Sequence, residues 1–248
     1  MAYDPYSDRL GLLLHFEGSN GSTTITDSSL IPRSVTANGN AQISTANFKY
    51  GSSCLSLDGV GDYLSVPYSS KSFLFTGDFT VECWIYMTAG TNTFRYIYGT
   101  TNPYDLIIYI TNTNKLIARY SINGTALTDV IGTTSLSLST WYHIAVNRYG
   151  TDFRIFLDGV SEGSSTLSSP LYTNTNNRII GRNETFTNEY FTGNIDEFRI
   201  SNNFSRYTSS NFTPPSAAFD DVDPQLFESV IQRKSIHFST NYLNSIHN

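Results

Sequence analysis

The sequence predicts an all-β fold, with two antiparallel sheets packed face to face. Short strand-like runs separated by turn signals recur from start to finish, while helical periodicity is nearly absent before residue 220. Aromatic residues make up 14% of the chain, with 17 Tyr and 16 Phe, types that pack well on a pleated surface. The length, 248 residues, suits one large sandwich.

The elements follow in order. A first strand covers Leu10 to Phe16. Cys54 to Leu57 and Tyr63 to Val66 read as a hairpin, joined by the two-glycine turn Asp58-Gly-Val-Gly-Asp62. Phe79 to Tyr86 alternates cleanly, placing Phe79, Val81, Cys83 and Ile85 on one face and Thr80, Glu82, Trp84 and Tyr86 on the other. Phe94 to Gly99, Leu106 to Ile110 and Lys115 to Tyr120 form a meander, and Asn123-Gly124 marks the turn before Leu127 to Ile131. Trp141 to Arg148 and Phe153 to Leu157 follow, the second closed by Asp158-Gly159. Arg178 to Gly181 and Ile195 to Ser201 complete the domain. Beyond Pro214-Pro215 the composition changes. Pro224 can open a helix whose Leu226, Phe227, Val230 and Ile231 share one face, an apolar stripe suited to docking and assembly. The chain thus divides into an arm (1–9), a sandwich (10–215) and an extension (216–248).

Charge excludes some function classes. Only 15% of residues are charged, the net charge is -6, and no Lys/Arg run marks a nucleic-acid binder. The N-terminus carries no cationic and apolar leader, and no apolar run approaches the ~20 residues that span a bilayer. Neither a secretory signal nor a membrane partner is expected. Cys54 and Cys83 are expected as free, buried thiols. His15, His143, His237 and His247 lack metal-pair spacing, and no Gly-x-Ser-x-Gly elbow occurs. His143 reads as a packed, hydrogen-bonded residue, and Trp84 and Trp141 as core or inter-sheet packing.

The strand ending in Ile-Asp-Glu-Phe-Arg-Ile-Ser carries two adjacent carboxylates. Strict alternation puts Ile195, Glu197 and Arg199 on one face and Asp196, Phe198 and Ile200 on the other. Asp196 is then inward and must be hydrogen-bonded, paired with an Arg such as Arg178 or Arg182, or metal-bound, while Glu197 is exposed beside Arg199.

Five segments in order resemble the laminin-G-like and pentraxin-like group of concanavalin A-type jelly rolls. They are Leu12–Gly18 (LLLHFEG) with Asp27-Ser28-Ser29, Ser53–Pro67 (SCLSLDGVGDYLSVP), Gly77–Tyr86 (GDFTVECWIY), Trp141–Gly150 with Phe153–Val160, and Phe191–Ser201 (FTGNIDEFRIS). The resemblance implies a jelly-roll sandwich that binds or builds. It also implies a structural Ca2+ near the terminal strands, for which Glu17, Asp27 and Asp196 are the candidate ligands. Glucanases of this broad fold resemble one another in carboxylates alternating along a strand. Asp196 and Glu197 are adjacent, hence opposed, and no third carboxylate follows, so no enzyme is expected. Tyr3-Asp4-Pro5-Tyr6 and Arg206–Pro215 (RYTSSNFTPP) resemble laminin-G-like proteins of tailed bacteriophages. That likeness implies a non-enzymatic virion structural or decoration protein, made in the host cytoplasm, with other virion proteins and further copies of itself as partners. The alternative is a carbohydrate-binding adhesin or receptor-binding protein of a tail fibre. Arg95, Tyr109 and Arg119 on the meander would then supply the polar forks and aromatic platform for a cell-surface glycan.

Overall fold

The computed structural model describes residues 3–88, 94–183 and 189–222. The expected helix with Leu226, Phe227, Val230 and Ile231 lies outside them, as do His237 and His247. The first strands are β1 (Tyr3–Asp4), β2 (Leu10–Leu14), β3 (Thr24–Ile25), β4 (Val35–Asn38), β5 (Gln42–Ser44), β6 (Cys54–Asp58) and β7 (Tyr63–Val66). After the one-turn helix α1 (Ser70–Phe73) come β8 (Phe79–Met87), β9 (Arg95–Gly99), β10 (Leu106–Ile110), β11 (Lys115–Tyr120) and β12 (Thr128–Ser135). The chain continues through β13 (Trp141–Tyr149), β14 (Asp152–Leu157), β15 (Val160–Thr166), β16 (Arg178–Ile180), β17 (Thr192–Asn202) and β18 (Asp221–Val222).

Two sheets stack. The meander sheet has the order β12-β11-β10-β9-β16-β7-β4-β3, and the closing sheet the order β15-β14-β13-β8-β17-β6-β5, with β2 also paired to β17. Between them lies one apolar core. Leu12, Leu14, Val81, Cys83, Ile85, Phe198 and Ile200 of the closing sheet meet Leu64, Ile97, Leu106, Ile108, Ile110 and Leu116 of the meander sheet. Each such side chain contributes roughly 1.5–3 kcal/mol by leaving water. Cys54 and Cys83 are free and buried, as expected. The sheet edges shield each other: β12 lies against β15, and the Thr133 and Thr134 N–H groups donate to Glu162 at 2.7 Å each.

Three sequence readings need correction. Cys54–Asp58 and Tyr63–Val66 are not a hairpin, because β6 joins the closing sheet and β7 the meander sheet. The Asp58–Asp62 turn arches between sheets, and the buried Asp62 carboxylate accepts the Asp58 N–H at 2.9 Å. Trp84 is buried, but on the outer side of the closing sheet, with Lys49 Nζ 4.1 Å from its ring centre. Alternation also fails in β17. Asp196 pairs with Trp84 and Arg199 with Glu82, so Glu197 and Phe198 together face one position of β8. This is a β-bulge, with Glu197 at φ +50°. It leaves Ile195, Phe198 and Ile200 in the core and turns both carboxylates to the outer face.

Candidate functional site

Both carboxylates of the bulge are covered, by the loop before β6 and by the segment after β17. Asp196 Oδ2 accepts the N–H groups of Lys49 (2.7 Å) and Tyr50 (3.0 Å), and Oδ1 that of Glu197 (2.9 Å). Burial pushes its carboxyl up to about 7, against the pull of the Tyr50 and Lys49 donors and with the Glu197 charge adding. Glu197, expected at the surface, is only 1% exposed. It accepts the Phe219 N–H at 2.8 Å and holds His15 Nδ1 at 2.9 Å. On the other side of the ring, His15 Nε2 lies 3.3 Å from Asp221. Burial lowers the His15 imidazolium's affinity for its proton, but the hydrogen bond and charge of Glu197, with Asp221, outweigh it and raise the pKa. His15, Glu197 and Asp221 line a cleft of about 440 Å³ with Phe16, Glu17 and Phe219.

The structure does not bring the three expected calcium ligands together. Asp27 accepts N–H groups from Leu13, Ser29 and Arg33 at 2.7–3.1 Å, and Glu17 caps Ser52. Asp196 serves the three donors above and pairs with neither Arg178 nor Arg182. Among the described residues, no three of His, Cys, Asp and Glu gather as a metal site.

A second cluster lies on the same outer face. Glu82, fully buried, receives Arg199 Nε at 2.9 Å and Nη2 at 2.8 Å, His143 Nε2 at 3.2 Å and the Tyr207 hydroxyl at 2.5 Å. Burial alone would raise its pKa, but Arg199, His143 and Arg206 outweigh that and hold it well below the usual carboxylate range. Asp4 of β1 pairs with Arg206 at 2.5 Å and stands 3.6 Å from Arg199. Residues 203–222 thus form a strap across the closing sheet. Tyr207 and Phe212 stack 3.5 Å apart and pack on Phe156 and His143. The strap crosses the Asp158-Gly159 turn where a side chain could not fit. Gly159 sits at φ +76°, and a Cβ there would fall 2.0 Å from the Phe212 carbonyl oxygen. At its end, β18 pairs in parallel with β1, Tyr3 opposite Asp221.

The meander sheet's outer face is different. Tyr96 and Tyr109 stack with ring centres 5.0 Å apart and form a small buried apolar cluster with Ile107 and Ile117, against which half-buried Tyr104 packs. Arg119 lies over Tyr109 at 5.5 Å and forks onto Asp129 at 2.6 and 2.8 Å. On the edge strand, Ile131 opposite Ile117 is 54% exposed. The expected trio divides here. Tyr109 and Arg119 share this face, but Arg95 pairs with Ile110, one residue out of phase with Tyr109, and is fully buried. It donates to the Thr111 carbonyl at 2.9 Å and to Asn114, which makes it a support of the β10–β11 turn. Sequence reading missed Tyr96, Asp129 and Ile131. Their alternation was visible, but the pairing that brings them together was not.

Strand order and stacked sheets together define a concanavalin A-like jelly-roll sandwich. The family model described as "Concanavalin A-like lectin/glucanases superfamily" matches residues 58–205, more than half of the sequence, and the chain belongs to that family. No curated protein matches it. Among solved structures, it is similar to the binding domain of Paraclostridial Mosquitocidal Protein 1 (TM-score 0.63, 17% identity, 79% of this chain and 49% of that one). It is also similar to the receptor binding domain of botulinum neurotoxin D (0.63, 16%, 82% and 51%). The botulinum neurotoxin serotype G binding domain gives 0.61, 14%, 81% and 49%. The chain spans about half the length of these structures. At such identities the likeness is one of fold.

Proposed function

We propose that this chain is a non-enzymatic binding module displayed on a phage virion as a structural or decoration protein, anchored through its terminal segments. The observation that carries the reading is that β1, the strap and β18 lie together on the outer side of the closing sheet. The aromatic face of the meander sheet looks the opposite way. A module fastened on one side and displayed on the other needs this division. The Tyr96 and Tyr109 rings are themselves buried, so the surface offered to a sugar ring is the rim above them, exposed Ile131 beside the neutralised Arg119–Asp129 pair. No catalytic carboxylate pair is needed. The bulge does put Asp196 and Glu197 on one side, so the expected opposition of their side chains is not what argues against hydrolysis; their commitment to backbone N–H groups and His15 is.

The test has two arms. A chain ending at residue 222 should fold normally yet fail to enter particles, and normal incorporation would remove the anchoring role. On a glycan array, the intact protein should give signal that Ile131→Ser weakens. Glycan binding with no incorporation of the full chain would favour the tail-fibre receptor-binding alternative, a reading encouraged by the toxin binding domains of similar fold.

A further inference from the structure

We infer that residues 3–9 and 203–222 form a single clasp that docks and releases as one unit, controlled by the buried carboxylate of Glu82, while the sandwich beneath stays folded. The clasp is made of the chain's own residues and depends on no particular anchoring partner. Its first support is the composition of the core. The apolar cluster between the sheets contains no residue of 3–9 or 203–222. The clasp has its own small cluster instead, Phe219 against Leu10 and Leu13 with Val222 packed on it. Its other seats on the sheet are mixed: Tyr207 and Phe212 pack on Phe156 and His143, and the rest are polar. The Arg206 N–H donates to Thr80 Oγ1 at 2.9 Å, Asn147 Nδ2 donates to the Tyr207 carbonyl at 2.8 Å, and the Ser205 hydroxyl donates to Asn147 Oδ1 at 2.9 Å. Lifting the strap therefore uncovers Phe156 and polar groups that water can satisfy, and leaves the main core closed.

The second support is charge balance. Two guanidiniums, Arg199 and Arg206, are held between two carboxylates, Glu82 from the sheet and Asp4 from the N-terminal segment. Glu82 and Asp4 are 1% and 2% exposed. Arg206 belongs to the strap and Arg199 to β17, so the four groups tie both terminal segments to one point. Removing one carboxylate leaves a buried positive charge without its counterpart, which is strongly unfavourable. The least disruptive relief is to admit water by lifting the strap. Because Asp4 is held by Arg206, and β1 by β18, the N-terminal segment goes with it. The clasp is thus a built-in fastener for the segments that lead to the ends of the chain.

Hydrogen exchange read by mass spectrometry on the full chain tests this, with Glu82→Gln and the milder Asp4→Asn. In Glu82→Gln, amides of 3–9 and 203–222 should exchange roughly a hundredfold faster, in step, while β8 and β13 keep their protection. Asp4→Asn should loosen the same two segments together by a smaller factor. Loosening of one segment alone, or unchanged exchange in both variants, would overturn the clasp. Loss of protection throughout the sandwich in Asp4→Asn would do the same, and that variant remains decisive should Glu82→Gln fail to fold.

Discussion

The two outer faces of the sandwich use buried polar chemistry in opposite ways. On the closing sheet, four charged groups from four parts of the sequence are sealed under the strap, and Glu82 alone serves Arg199, His143 and Tyr207. On the meander sheet, the charged pair Arg119–Asp129 remains about 30% exposed, above stacked tyrosines. The first arrangement is fragile to the loss of any member, because a buried charge without its partner has nowhere to go. The second tolerates loss, because water replaces the partner. The difference separates a face sealed around its charges from one whose rim, Arg119, Asp129 and Ile131, stays open to solvent.

Glu82→Ala breaks the comparison hardest. It should cost about 3–5 kcal/mol in urea unfolding. Acidity offers a second lever. Asp196 titrates near 7 in the folded protein, against roughly 4 when unfolded, so its native form holds the extra proton between those values. Its stabilising contribution is therefore full below pH ~4 and lost as pH rises through about 7. His15 acts in the same direction: its raised value gives stability that is present below ~6.5 and lost as pH climbs through the folded value. Glu82, held low, works oppositely and loses its contribution only as pH falls below the usual carboxylate range. The melting temperature should thus be highest at mildly acidic pH and fall towards pH 8. A curve that rises from pH 5 to 8 would contradict the assignment of Asp196 and His15.

Smaller effects belong to the meander face. Arg119→Ala should lower stability by about 0.2–1 kcal/mol, an effect weakened by salt. Ile131→Ser should fall within roughly 0.5 kcal/mol of the wild type while reducing ligand binding. A cost for Ile131→Ser comparable to a core truncation would mean that this face is structural after all.

Most of the strand order was legible because apolar alternation is local. Leu106–Ile110 and Lys115–Tyr120 have the ends that the pattern predicts. β15 was missed because Val-Ser-Glu-Gly-Ser-Ser-Thr offers one apolar residue, its role being to close an edge. The β6–β7 turn was misread because an arch between sheets uses the same glycines as a hairpin. The bulge at Glu197 has no glycine to announce it, and it reversed the reading of both carboxylates. The clasp was invisible for another reason. Asp4, Glu82 and Arg206 are joined only by the folded topology, and no local period links them. Arg95, by contrast, could have been set apart from Tyr109 once the register of β9 against β10 was known.

The most direct test of the division between the faces is a paired assay on the full chain: glycan-array binding and incorporation into particles, for Arg119→Ala/Ile131→Ser and for Asp4→Asn. The meander pair should lose glycan signal but be incorporated normally, while Asp4→Asn should keep the glycan signal and be incorporated poorly. If the meander pair binds glycan as well as the wild type, or if Asp4→Asn is the variant that loses it, the two faces do not divide holding from recognition.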